Sequence, residues 1–562
     1  MISFFAAFSL LPLLLLGVRI SRWIHKYIQA RSYGLPIVLL PVSFNEPLWM
    51  IFRPLFAWVE YLPLGLGNWY LYTNMGWPIE DGSRSLHLYG ENFVLCSPVD
   101  NIIVTGEPAV INKVWQETKD IWRVPESQNR LFSFFGENLT STQGEDWKRH
   151  RKITIQAFSE RTMAGVWLES KRQTKVLKAV LEKEQERSLG SVRSSFDLLA
   201  MQVVTIIAFG QENEHTTVPK GHKMSLVDSM SFILKHILLT VVFNSLSAPD
   251  FLLPGVLRSL KASVAEVRLY MEELVLAHMQ KSSDTKPTAA GTRPTTLLAA
   301  IVNANEVEKR GGIEGKPRGY LTNSELYGNI FIFNLGGYET ISATLTFALP
   351  FLALHPEVQS WVTEEIDLYN SRASDDDTDA NYNAVYPHLV RTRALMHETL
   401  RFASPAPLLV KTATVPVQID LTTSSGPRTI TVKPGTLMGM NQYSGHLSAR
   451  WGADAEVFNP KRFIVIDEKG EEKFQMPEGV AFTSWLIGPR TCPAKKFSQV
   501  EFAGTMAELL RDWKVEVVSK GAESEGEARR RVEALVLDEK YFNVSAHLRR
   551  PEAAGMRFVR RL

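Results

Sequence analysis

Hydrophobic and polar positions divide the chain into unequal parts. Residues 1–18 carry no charged side chain and are rich in Phe and Leu. Read as a helix, they span roughly 27 Å, near the thickness of a bilayer core. Arg19, Arg22, Lys26 and Arg31 follow at once. That asymmetry predicts a transmembrane anchor over 1–20 with the body of the protein in the cytoplasm. A cleaved signal peptide would carry its basic cluster on the other side and a small-residue cleavage site after the apolar run. Residues 21–80 are broken by Pro36, Pro41, Pro47, Pro54 and Pro63 among many aromatics. They read as a hinge with a bilayer-resting surface, or as hydrophobic packing under the main domain.

From residue 81 onward, long segments repeat with a helical period, and short apolar runs read as strands. Leu86 to Val94 and Ile102 to Val104 are predicted strands, separated by a turn at Ser97-Pro98-Val99-Asp100. Residues 160–280 are mostly helical in pattern, while 281–297 and 309–319 have the Gly, Pro, Thr and Lys content of loops. Thr322-x-x-Glu325 is a capping box that predicts a helix from Asn323 to His355, stopped by Pro356. Residues 371–379 read as a solvated acidic insertion. The stretch Lys495 to Trp513 places Phe497, Val500, Phe502, Met506, Leu509 and Leu510 mostly on one side of a helix. The tail from Tyr541-Phe-Asn-Val-Ser545 reads as a hairpin. The pattern describes one large domain over 81–562, mainly α with a small β region.

Charge narrows the function. Lys plus Arg number 62 and Asp plus Glu 60, so nothing points to nucleic acid. Two cysteines, Cys96 and Cys492, leave no disulfide framework and no zinc cluster. Asn138-Leu-Thr140 and Asn543-Val-Ser545 match glycosylation sequons, which a cytoplasmic body would keep bare.

The candidate chemistry centres on Phe482-Thr-Ser-Trp485-Leu-Ile-Gly488-Pro-Arg490-Thr-Cys492-Pro-Ala494. Its Gly and Pro predict an irregular loop. Cys492 falls just before a helix N-terminus, with Pro493 suited to the first helical position. Free N–H groups, the helix dipole and the nearby Arg490 favour a thiolate, which is a good metal ligand. A buried structural cysteine is the bland alternative. Elsewhere, Trp147 and Arg151 stand at i and i+4 and can reach one partner. Adjacent Gly336 and Gly337 cost about 1 kcal/mol each inside a helix. Something must therefore approach the backbone there, the helix must open, or another helix must pack closely. Glu398 and Arg401 share a helix face, which alone describes a common ion pair.

Trp485-x-x-Gly488-x-Arg490-x-Cys492-x-Ala494 resembles the haem-binding signature of the cytochromes P-450, the haem-thiolate monooxygenases. The chain has Trp485 where that family usually has Phe, and Ala494 where it has Gly. Five motifs fall in the family's order: Trp147/Arg151, Gly336 to Thr340, Glu398/Arg401, Phe458-x-Pro460-x-Arg462-Phe463 and the Cys492 loop. The resemblance implies the cytochrome P-450 fold with haem b held by the Cys492 thiolate, which favours O–O cleavage. It implies Trp147 and Arg151 on a haem propionate, with Lys411 in the place of a propionate-binding Arg. Trp485 walls the cysteine loop. It implies Glu339 and Thr340 as an acid–alcohol pair in an opened central helix, and Glu398, Arg401 and Arg462 as a buried charged trio. It implies that the strand from Ala403 to Lys411 lines a substrate cavity. The implied activity is oxygen insertion from O2 into a small hydrophobic compound, in the style of fungal secondary metabolism. Electrons come from an NADPH-cytochrome P-450 reductase, docked near Lys495 and Lys496, at the endoplasmic reticulum membrane. Oxidative coupling or rearrangement, and a non-catalytic membrane scaffold, are the rival readings.

Overall fold

The computed structural model describes residues 2–116, 121–126, 133–184, 186–210, 218–237, 239–240, 253–284, 296–311, 318–370, 379–423 and 425–561. At 2–12, 278–284 and 379–380 it describes the helical backbone alone. Most of the acidic insertion and of the two predicted loops lies outside these residues.

The helices begin where short hydroxyl side chains can satisfy free N–H groups. Ser159, Ser188, Ser225, Thr296, Thr322 and Ser524 each accept from the N–H three residues on. At Thr322 the box is complete, with the Glu325 carboxylate accepting from the Thr322 N–H. The central helix that follows, Asn323–Leu354, is buried along most of its length. It packs along the helix Leu189–Phe209. The helix Lys495–Asp512 packs along Glu160–Leu181. Phe196, Val203, Phe331, Leu345, Phe502 and Leu509 are among the fully buried side chains of this helical core.

Strands are few and gathered to one side. A sheet orders Ile37–Leu39, Asn92–Cys96, Asn101–Thr105, Leu437–Asn441, Leu408–Ala413 and Trp122–Arg123. Its two apolar faces belong to separate clusters, one around Met438 and Met440, the other around Phe93 and Val104. Leu86 to Tyr89 is not strand, as the pattern predicted, but part of the helix Arg84–Tyr89. Only after Gly90, whose φ is +81°, does the chain extend. The predicted tail hairpin is present, Lys540–Asn543 against Ser545–Leu548.

The N-terminal helix runs unbroken from Ile2 to Tyr33, past the boundary expected at residue 20. Arg19 donates to both oxygens of Glu46, at 2.8 and 2.9 Å, and to the Pro41 carbonyl at 2.8 Å. The Trp23 indole donates to the Cys96 carbonyl at 3.2 Å, and Ala30 and Tyr33 are buried. Leu13 to Leu16 and Val18 are exposed. Among the described residues, the helix long and apolar enough to cross a membrane is Leu189–Phe209, and more than half of it is buried in the core. Part of residues 35–80 is the hydrophobic packing expected under the main domain, and part is exposed. Phe44, Tyr72 and Trp77 pack against the sheet, while Leu48, Leu55, Trp58, Tyr61 and Leu64 stand in the open, Leu64 at 97 % exposure.

The glycine pair of the central helix divides the same way. A Cβ on Gly337 would come within 2.8 Å of Val204 Cγ2 on the neighbouring helix, whereas one on Gly336 would meet nothing within 4 Å. Gly337 is thus a helix–helix contact, and Gly336 bares the backbone to open space. The helix does not open between them; its conformation is continuous. The β-branched Val204 cannot swing aside easily. Gly337→Ala is expected to destabilise by about 1–3 kcal/mol through overpacking. Gly336→Ala is expected to be neutral or to stabilise by up to about 1 kcal/mol through helix propensity. Urea unfolding midpoints of the two variants check this, and the opposite ranking would refute it.

Candidate active site

The loop before the last long helix is irregular, as its composition predicts, and it is shaped by backbone contacts. Leu486 N–H donates to the Thr483 carbonyl at 2.7 Å, and Cys492 N–H to the Trp485 carbonyl at 2.8 Å. Gly488 has φ +68°, and a Cβ there would lie 2.9 Å from both Gln116 Cα and the Trp115 carbonyl oxygen. No other residue type fits both demands. Trp485 is buried, and its indole donates to Ser498 Oγ at 3.0 Å, pinning the loop to the helix. The Lys495 ammonium stands 5.4 Å from the Trp485 ring centroid. The helix starts at Lys495 with Ala494 as its cap. Pro493 therefore sits in the turn outside it rather than at the first helical position.

One expectation about the sulfur needs correction, and a further effect enters its balance. Burial pushes the Cys492 thiol up, against the pull of the Ala494 N–H and the charges of Arg151 and Lys495. Desolvation outweighs the helix N-terminus. A cation at the sulfur would reverse that balance. The charge felt at Cys492 also comes from Arg151, not from Arg490. Arg490 turns away, donating to the carbonyls of Leu139 at 3.1 Å and Thr142 at 2.8 Å. Its guanidinium lies 4.6 Å from the Trp147 ring centroid. Burial, with Arg151 beside it, brings Arg490 down to about 10.

Trp147 and Arg151 do share a helix, Gly144–Thr154, and one neighbourhood. Burial lowers Arg151, and the Cys492 sulfur opposes that shift. The cations that neighbour Arg151 are otherwise spoken for: Arg149 pairs with Asp146 and Glu325, and Lys148 with Glu145. Lys411 lies on the strand Leu408–Ala413 as expected. Its ammonium donates to the Val114 carbonyl at 3.0 Å and stands 5.6 Å from the Trp115 ring centroid. Lys496 is paired with Glu160.

Thr340 and Glu339 part company. The Thr340 hydroxyl donates to the Gly336 carbonyl at 2.7 Å, one turn back, on the bare side of the helix. Glu339 Oε1 accepts from Arg193 at 2.8 Å and from Ser545 Oγ at 2.6 Å, and lies 3.2 Å from His547 Nε2. Burial works against the Glu339 charge, but the His547, Arg193 and Ser545 donors overcome it and hold the carboxyl down to about 2. Arg193 also pairs with Asp197 at 2.8 Å, and Asp197 accepts from Ser342. None of these partners was legible in the sequence. Arg193, Ser545 and His547 lie far from residue 339 in the chain, and neither the sequon nor the hairpin read at 541–545 points to Glu339.

The charged trio is assembled, with Glu398 and Arg401 fully buried and the Arg462 side chain 6 % exposed. Glu398 accepts from Arg401 at 2.9 and 3.1 Å, from Arg462 Nε at 3.2 Å and from the Asn459 N–H at 2.7 Å. Arg462 adds Asp454 at 3.1 Å. Arg401 also donates to the His446 carbonyl. His446 Nε2 accepts from the Thr483 N–H at 3.1 Å, and Gln442 donates to the Thr483 carbonyl at the same distance. The trio therefore bears on the cysteine loop through His446. Asn138, in the first sequon, is fully buried and bonded to Thr140, so that sequon is closed by the fold.

Comparisons with known proteins agree with this arrangement. The family profile described as cytochrome P450 matches residues 86–544. A cytochrome P450 monooxygenase of Leptosphaeria maculans, from the phomenoic acid biosynthesis cluster, is 26 % identical over 572 residues, covering 95 % of both chains. Another, of Arthrobotrys oligospora, is 24 % identical over 536 residues, covering 89 % of both. Cytochrome P450 monooxygenase 124 of Postia placenta is 28 % identical over 442 residues, covering 78 % of this chain and 79 % of its own. In three dimensions, the crystal structure of a cytochrome P450, CYP102L1, superposes with a TM-score of 0.62 at 17 % identity, over 86 % of this chain and 98 % of that one. With the buried trio, the bare Gly336 and the cysteine loop assembled in one helical domain, this chain belongs to the cytochrome P450 family of monooxygenases.

Proposed function

We propose that Cys492 is the axial ligand of haem in a membrane-anchored monooxygenase of fungal secondary metabolism. The observation that carries this is the setting of the sulfur. Cys96 lies fully buried within a strand. Cys492 ends a Gly-shaped loop, electrostatically coupled to Arg151 and Lys495. The family uses haem b with a cysteine thiolate as axial ligand. The residues present suit it: a soft sulfur donor, cations for the carboxylates, and a helix backbone left open at Gly336. Bound there, the group supplies the oxidising chemistry on O2, and the thiolate supplies electron density for O–O cleavage.

In this reading Arg151, Trp147 and Arg490, with Lys411 from the strand, hold the haem carboxylates. Trp485 and Gly488 fix the cysteine loop. The carbonyl of Gly336 holds the Thr340 hydroxyl on the open side of the helix, where it can orient a water. Glu339 is the ionised acid that takes and gives protons behind it. Glu398, Arg401 and Arg462 keep the loop in place. The substrate is a small hydrophobic organic compound, and one relative's place in the phomenoic acid biosynthesis cluster supports a secondary-metabolite intermediate. Electrons come from an NADPH-dependent flavoprotein reductase. Lys495 is proposed as part of that docking surface, while Lys496 spends its charge on Glu160. Cys492→Ser is expected to abolish the thiolate-type carbon monoxide spectrum while Cys96→Ser keeps it; a surviving spectrum in the first variant would remove the assignment.

The anchor is proposed to be the first part of the helix Ile2–Tyr33, in the endoplasmic reticulum membrane, with 81–562 as the catalytic domain in the cytoplasm. Support comes from the exposed Leu13 to Leu16 and Val18 and from the apolar side chains of Leu48 to Leu64. Those side chains would rest on the bilayer surface beside the helix. Protease added to intact microsomes is expected to digest the body of the protein. Protection of the body until detergent is added would invert the topology.

A further inference from the structure

The Glu339 side chain is 10 % exposed, and of the groups bonded to it His547 stands most open to water. Ser545 is fully buried, and the Arg193 side chain is 11 % exposed. The His547 side chain is 23 % exposed. Its Nε2 faces Glu339 Oε1 at 3.2 Å and the Asn543 carbonyl oxygen at 3.1 Å. Both of those atoms accept, so Nε2 carries the hydrogen. Among the described residues no protein group hydrogen-bonds Nδ1, which leaves that nitrogen to solvent. The ring is held from the other side by Tyr541, 5.5 Å between centroids. An imidazole placed in this way has one nitrogen on an internal carboxylate and one toward water, the arrangement of a proton shuttle.

We propose that His547 is a positioning residue that resupplies Glu339 with protons from solvent. The Nε2–H bond breaks as an O–H bond forms at Glu339 Oε1, and Nδ1 takes a proton from a solvent hydronium, leaving water. One proton crosses the ring and no electrons change hands. Exchange with solvent then restores the Nε2–H form. Arg193 returns Glu339 to its ionised state after the proton has moved on toward Thr340, one residue along the helix. The inference rests on Glu339 being the proton-handling acid of the site.

Two substitutions separate a shuttle from a prop. His547→Gln keeps an N–H donor for Glu339 but cannot pass a proton; His547→Phe removes both functions. In the haem-loaded enzyme with its reductase, both variants are expected to keep the carbon monoxide spectrum. Both are expected to give about tenfold less product per NADPH, the missing electrons emerging as peroxide. That is below the usual worth of general acid–base help because water can stand in. Recovery of the yield by Gln would overturn the shuttle and leave a holding role. An independent readout needs no turnover. In ring-¹⁵N-histidine protein, the signal lost in His547→Gln should show the proton on Nε2 and an exchanging Nδ1. A fixed Nδ1–H form would overturn the proposal. Glu339→Gln with full product yield would overturn the reading of Glu339 itself. Loss of yield in Glu339→Gln together with wild-type yield in His547→Gln would overturn the shuttle alone.

Discussion

A carboxylate and two guanidinium groups, buried together, hold the cysteine loop where it is. Glu398 has no exposure and neither has Arg401. Charges so placed are tolerable only while each has its partner, and removing one leaves the others uncompensated at about 3–5 kcal/mol. That penalty makes the arrangement all-or-none. From it, rigid contacts lead outward: Arg401 to the His446 carbonyl, His446 to the Thr483 N–H, and the turn at Thr483 to Trp485, whose carbonyl receives the Cys492 N–H. Burial holds His446 down to about 3, with the Arg401 charge acting the same way, so its Nε2 is a dependable acceptor. The sulfur is placed by electrostatics that lie a helix away from it.

Much of this was legible in the chain because local spacing carried it. The capping box at Thr322, the pair Glu398 and Arg401 at i and i+3, and the loop composition around Gly488 all depend on neighbours within four residues. What the sequence could not weigh depended on competition. Helix geometry alone favours a thiolate at Cys492; desolvation, invisible in sequence, opposes it until a cation binds. Arg490 is two residues from the sulfur, yet the Leu139 and Thr142 carbonyls claim it. Leu86 to Tyr89 has the apolar content of a strand but only a turn and a half of helix before Gly90. Partners such as Arg193 and His547 could not be found at all, since nothing local marks them.

The adjacent glycines show how one motif can carry two physical reasons. Gly337 is small because Val204 is 2.8 Å from where its Cβ would be. Gly336 is small with nothing near it. A reading that asked what the pair does together would have missed that each faces a different side. The same division holds for Glu339 and Thr340: adjacent in sequence, a quarter-turn apart on the helix, one fastened to three partners and the other bonded to its own backbone.

The N-terminal helix has a mechanical consequence. Its last turns are fastened by Arg19 to Glu46, Trp23 to Cys96 and Tyr33 to Thr436. The helix and the domain therefore move as one lever. Any tilt of the first turns becomes a tilt of the sheet and of everything resting on it. A flexible tether would let the protein roll over a surface and present each side in turn. With the first turns anchored as proposed, a lever would fix which side looks down, and so the direction from which an oily compound dissolved in a membrane could reach the interior.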